Sequence, residues 1–127
     1  MSVLDFLGFG RSHDNPPIKS VSAQDAFDKV AGNEVVLIDV REANEWRKTG
    51  LPQGAIGVAL QDRDFMTKLV SALANDLAQP VCFSCLQGGR SIAAAKKAQQ
   101  AGITDIYNLE GGIGSWIEAK LPTEPVG

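Results

Sequence analysis

The run Val35-Val-Leu-Ile-Asp39 constrains the fold more than any other stretch of the chain. Four apolar residues stand together with no polar residue alternating among them. Such a run suits a strand buried on both faces, and doubly buried strands belong to parallel sheets covered by helices on each side. Val81-Cys-Phe-Ser84 and Ile106-Tyr-Asn-Leu109 read the same way, and residues 55–59 read as a shorter strand. Helical patterns lie between them. Ser22 caps a helix whose apolar face is Ala26, Phe27 and Val30, closed by Gly32-Asn33. Residues 42–48 form a short helix ended by Gly50 and Pro52. Phe65, Met66, Leu69, Val70, Leu73 and Leu77 recur at helical spacing. An alanine-rich helix over 92–101 stops at Gly102, and a last one over 113–120 precedes Pro122. Strands alternating with helices predict an α/β domain with a mainly parallel sheet, whose reactive groups gather at the carboxyl ends of the strands.

Length and composition narrow the function. The 127 residues fit one domain. We expect an N-terminal appendage over 1–17 and the domain proper over 18–127. Val3, Phe6 and Leu7 can share one face of a short helix in the appendage, before Gly8, Gly10, Asn15, Pro16 and Pro17 interrupt it. A net charge of -3 and the lack of a Lys/Arg cluster argue against a general nucleic-acid binder, which would carry a basic face. No apolar stretch reaches the length of a membrane span, and the first ten residues lack the basic start of a secretory signal. Two cysteines and one histidine make neither a disulfide framework nor a structural zinc site. An unpaired thiol suits a reducing compartment, so the expected location is cytoplasmic. The expectation is a monomer, with a dimer as the alternative.

The chemistry concentrates in Cys82-Phe-Ser-Cys85-Leu-Gln-Gly-Gly-Arg90-Ser91, between a strand and a helix. Gly88 and Gly89 can take positive φ, which would let successive backbone N–H groups converge on one point. Backed by a helix N-terminus, that concavity is an anion cradle. Helix N-termini and nearby cations lower a cysteine pKa from about 8.5 by one to several units. Cys85 is therefore expected to ionise at neutral pH, aided by the permanent charge of Arg90. Cys82 has the spacing of a redox partner, but residues three apart in a strand face opposite ways, with α-carbons roughly 10 Å apart. Cys82 is read instead as a small core residue.

Four ordered segments resemble the rhodanese-like domains. They are Asp39-Val-Arg41-Glu42, then Glu45-Trp46 through Gly50-Leu-Pro-Gln-Gly-Ala-Ile56, then the loop Cys85 to Ser91, and last Leu109-Glu-Gly-Gly112 with Trp116. The resemblance spans residues 18–121. It implies a central, mainly parallel sheet of about five strands with helices on both faces. It also implies a sulfurtransferase of the thiosulfate sulfurtransferase type. The Cys85 thiolate would take sulfane sulfur from thiosulfate, a polysulfide or a persulfide, and a thiophilic acceptor, a thiol or a protein, would remove it. The backbone of Leu86, Gln87, Gly88, Gly89, Arg90 and Ser91 would hold the persulfide, and no cofactor or metal is implied. Arg90 would bind an anionic donor or stiffen the loop. Related phosphatases and arsenate reductases place five residues between cysteine and arginine, whereas four lie between Cys85 and Arg90. The remaining alternatives are a sulfur carrier or regulatory binding module, and a thiol-disulfide protein using Cys82.

The sequence departs from the pattern at Leu51, where many relatives have histidine, and at the neutral Leu86 and Gln87, where thiosulfate-using relatives often carry basic residues. These departures favour a persulfide or polysulfide donor. Asp39 and Arg41 read as a structural charge network beneath the loop, with Glu45 as a candidate partner for Arg41. Trp46 and Trp116 read as core or pocket wall. Gly111 and Gly112 read as a tight turn into the last helix, and Glu42 and Glu110 as rim residues without an acid–base role.

Overall fold

The computed structural model describes residues 16–86 and 89–126. β1 (Lys19–Val21) leads through Ser22 into α1 (Ala23–Ala31), with the Ser22 hydroxyl accepting from the Asp25 amide at 3.1 Å. β2 (Val36–Asp39) is followed by α2 (Ala43–Thr49) and two short strands, β3 (Leu51–Pro52) and β4 (Ile56–Gly57). Then come α3 (Phe65–Ala72), β5 (Val81–Ser84), α4 (Gly89–Gln100), β6 (Ile106–Leu109), α5 (Gly112–Glu118) and β7 (Thr123–Glu124). The main sheet runs β1-β6-β5-β2-β4, and every neighbouring pair in it is parallel. β3 and β7 form a separate antiparallel pair. The expected parallel sheet, with helices on both of its faces, is what the chain builds.

The unbroken apolar runs explain the layering. Successive residues of a strand face opposite ways. Ile38, Val81, Phe83 and Ile106 therefore pack under α3 and α4, against Phe65, Leu69, Ala94, Ala95 and Ala98. Leu37, Cys82, Tyr107 and Leu109 face α1 and α5, against Ala23, Ala26, Ile113 and Trp116. Small residues on α4 bring its backbone close to the sheet. Trp116 is fully buried and donates its indole N–H to the Pro122 carbonyl at 2.7 Å.

Several boundaries differ from the sequence reading. The helix expected over 65–77 stops at Ala72, because Ala74 and Asn75 turn the chain with φ of 55° and 63°. Leu73 keeps its place in the core as the capping residue, which is why its periodicity looked helical. The strand expected over 55–59 shrinks to Ile56–Gly57. α4 starts at Gly89, three residues before Ile92. β1, β3 and β7 carry no alternation to mark them, and tertiary pairing alone makes them strands. The appendage lies outside the described residues up to 15, with its expected helical face of Val3, Phe6 and Leu7. Pro16 accepts from the Gln99 side chain at 2.8 Å. Among the described residues, no helix is long and apolar enough to cross a membrane.

Candidate active site

The central strands β2 and β5 end side by side, with Asp39 in register with Ser84. The Val40 amide continues the pairing by donating to the Ser84 carbonyl at 2.8 Å. Beyond β2 lies a buried ion pair. Arg41 donates through Nε to both oxygens of Asp39, at 3.0 and 3.1 Å, and through Nη2 to Oδ2 at 2.8 Å. Further guanidinium bonds reach Thr49 Oγ1 at 3.1 Å and the Gly50 carbonyl at 3.3 Å. Two fully buried charges need this degree of satisfaction to offset their desolvation. The pair ties the end of β2 to the end of α2, which matches the structural role expected for it.

Glu45 is not the partner of Arg41; it belongs to Arg90. Arg90 Nη1 donates to Glu45 Oε1 at 2.7 Å and Nη2 to Oε2 at 2.9 Å, the two-pronged geometry of a guanidinium on a carboxylate. The hydrogen bonds from Arg90 hold the Glu45 carboxyl down at about 2. Glu45 in turn raises the pKa of Arg90. The reason is positional. Asp39 already fills the guanidinium of Arg41, while Glu45 is fixed by a capping box, with the Glu42 amide donating to Oε1 at 3.0 Å. Arg90 sits in the first turn of α4, where the helix dipole disfavours a cation, so it requires a carboxylate. That mismatch was the available sequence signal.

Cys85 comes directly after β5 and precedes α4 by four positions. Its residue is 1% exposed and joins the α3–α4 core, while Cys82 faces the other side of the sheet. Burial pushes the Cys82 thiol up to about 12, and the two cysteines are not bridged. Cys85 Sγ lies 3.5 Å from Ser91 Oγ, and Ser91 hydrogen-bonds in turn to Asn108 at the end of β6. The main chain of Cys85 is clamped as well. Its carbonyl accepts from the Ile113 amide at 2.8 Å, in the first turn of α5.

Gly111 and Gly112 make that clamp. Both have positive φ, 77° and 58°. A Cβ on Gly112 would meet the Cys85 carbonyl oxygen at 2.2 Å and that of Leu86 at 2.8 Å, so only glycine permits the approach. The expected turn is present, with the added role of seating the cysteine loop.

Of the other expected loop residues, Leu86 is exposed and Ser91 is buried against Cys85. Gly89 corrects the expectation: its φ is outside the left-handed range, it is the first residue of α4, and a Cβ there would meet nothing within 4 Å. Helix initiation, not a second left-handed turn, sets its conformation. Gln87 and Gly88 lie outside the described residues. Glu110 is exposed, with its carbonyl accepting from Ser115 Oγ at 2.6 Å. Glu42 and Trp46 line a cleft of about 410 Å3 with Gly57, Asp62 and Lys68. Sequence reasoning missed Asn108, Ile113 and this cleft, because each depends on which loops meet at the sheet edge.

The model of the rhodanese-like domain family matches residues 22–119. The chain is similar to the solved polysulfide-sulfur transferase homodimer of Wolinella succinogenes, at 27% identity and a TM-score of 0.72, covering 87% of this chain and 80% of that one. A Rhodopseudomonas palustris protein described as a possible tyrosine phosphatase matches at 27% identity and a TM-score of 0.70, covering 84% of this chain and 85% of that one. The thiosulfate sulfurtransferase of Pseudomonas aeruginosa matches at 25% identity and a TM-score of 0.70, over 85% of this chain but 20% of that larger protein. Fold order, the cysteine loop at the strand ends and the extent of the family match agree: this chain belongs to the rhodanese-like domain family.

Proposed function

We propose that the protein is a sulfurtransferase that carries sulfane sulfur as a Cys85 persulfide. One observation carries the reading: Cys85 stands between the end of a central strand and the start of α4, with its carbonyl clamped by Ile113 and its sulfur within reach of Ser91. The amide groups at a helix start favour an anionic sulfur. In the cycle, the Cys85 thiolate attacks the outer sulfur of thiosulfate, a polysulfide or a persulfide, and expels the rest of the donor. An acceptor thiolate then attacks the transferred sulfur and returns Cys85 as a thiolate. The backbone from Leu86 to Ser91 holds the persulfide, and Arg90 acts mainly by fixing the loop through Glu45. Cys85 is buried, so the cycle requires the loop to admit the donor, after which the inner sulfur is shielded from solvent. The sulfurtransfer unit is residues 18–127, working in the cytoplasm as a monomer or dimer.

Intact mass after incubation with polysulfide tests the reading. The expected result is a gain of about 32 Da, lost on adding cyanide and absent in Cys85→Ser, by the atomic arithmetic of persulfide formation. An unchanged mass in the parent protein rules the cycle out. Oxidant treatment is expected to produce no loss of about 2 Da, because Cys82 and Cys85 occupy opposite faces.

A further inference from the structure

The hydrogen bonds behind Cys85 run in one direction. Its thiol donates to Ser91 Oγ at 3.5 Å, and the Ser91 hydroxyl donates onward to Oδ1 of Asn108. All three residues are buried. Ser91 is placed by the first turn of α4, and Asn108 by β6, where it stands in register with Phe83 of β5. Its neighbours on this face of the sheet are apolar: Ile106 two residues back in the strand, and Phe83 beside it. A buried amide in such packing is costly unless it is hydrogen-bonded. Among the described residues, the Asn108 side chain bonds to Ser91 alone.

A serine hydroxyl carries one proton and serves one acceptor at a time. While Cys85 holds its proton the chain is complete, sulfur to hydroxyl and hydroxyl to carbonyl oxygen. A thiolate, or the inner sulfur of a persulfide, is an acceptor only. Ser91 Oγ then faces two acceptors, and an unaltered Asn108 holds the hydroxyl proton away from the sulfur. An asparagine resolves this conflict without moving its strand, because a half-turn of the amide exchanges oxygen for NH2 in nearly the same shape. An ionised carboxylate of that shape offers acceptors only, and an apolar side chain offers neither.

Resting on the sulfur-transfer reading above, we propose that Asn108 is a positioning residue that reverses the Ser91 hydrogen bond when Cys85 loses its thiol proton. With its carbonyl oxygen toward Ser91, Asn108 supports the thiol. With its NH2 toward Ser91, it donates to Oγ, and the Ser91 hydroxyl donates to Sγ of the thiolate or persulfide. Ser91 keeps its proton throughout. The one proton that leaves is that of the thiol, which passes to solvent. A single side chain thus supports the sulfur before ionisation and through the transfer cycle.

The test follows the amide itself, through the NMR cross-peak between the Asn108 NH2 protons and the Ser91 Hβ protons in the full chain. The peak is expected to be weak while Cys85 is a thiol and to grow severalfold along its thiolate titration, tracked by ultraviolet absorbance. Protein loaded with polysulfide should show the strong peak even at the acidic end, since its inner sulfur has no proton. The charged groups near the loop are Arg90 on α4, Glu42 and Glu45 at the start of α2, Asp39 and Arg41 at the end of β2, and Glu110 after β6. Cys85→Ser keeps all of them and removes the thiol, so its peak should stay constant. Asn108→Asp keeps the acceptor and loses the donor. With the new carboxyl ionised, sulfur uptake should slow about tenfold, the size of one hydrogen bond to a charged group. In a Ser91→Ala background the same substitution should slow uptake less, because only the repulsion of the new charge remains. A peak of constant intensity in a protein that loads, a peak that moves equally in Cys85→Ser, or equal slowing in both backgrounds overturns the role of Asn108 alone. Failure to gain about 32 Da overturns the sulfur-transfer reading and this inference with it.

Discussion

Two arginines of identical chemistry do different work because their surroundings differ. Arg41 and Asp39 are fully buried, so removing one partner strands the other charge in the interior. Arg41→Ala is expected to cost about 3–5 kcal/mol in urea unfolding. The Arg90–Glu45 pair keeps about a quarter of its surface in water, and such pairs are worth about 0–1 kcal/mol after screening. Arg90→Ala should therefore unfold near the parent midpoint while losing most of its sulfur uptake; a large stability loss with normal uptake contradicts the role. Acid adds a second handle. The Glu45 carboxyl is depressed from 4.5 to about 2, chiefly by the Arg90 hydrogen bonds. A depressed acid stabilises the fold above its unfolded pKa and loses that contribution as pH falls through the folded value. Between about pH 4.5 and 2 the parent should lose stability more steeply than Glu45→Gln, which keeps the cap but cannot titrate.

At the scale of elements, the cysteine loop is held by α5 as much as by its own strand. That helix begins on two left-handed glycines so that Ile113 can reach the Cys85 carbonyl. Gly112→Ala would place a methyl group 2.2 Å from that oxygen and leave a non-glycine residue at φ 58°. We expect a loss of about 2–4 kcal/mol and a displaced loop, read as lower stability together with slower gain of sulfur mass. The sequence marks this clamp poorly. Gly111-Gly112 announces a turn, but not which carbonyl the turn serves. The same limit hid β3 and β7, two residues each, whose pairing depends on the path of a distant segment. Val36–Asp39, Val81–Ser84 and Ile106–Leu109 were legible because burial on both faces demands unbroken apolar runs. The Glu45–Arg90 pairing was half legible: a cation at the start of a helix asks for a carboxylate, without saying which.

Across the whole molecule, the sheet divides the interior into two compartments, and the chain puts one cysteine in each. Cys85 borders the loops at the strand ends, whereas Cys82 sits in mid-strand beneath α1 and α5 beside Trp116. The order of strands and helices was readable from alternating patterns, and the opposite facing of the two cysteines from their spacing of three; which helices cover each cysteine emerged only from the fold. It makes the protein its own two-channel clock. Alkylation at Cys85 should time local breathing of the loop, while alkylation at Cys82 should wait for the whole sheet to come apart and should track urea midpoints. Equal trapping rates at both sulfurs under native conditions would mean that the two compartments open as one.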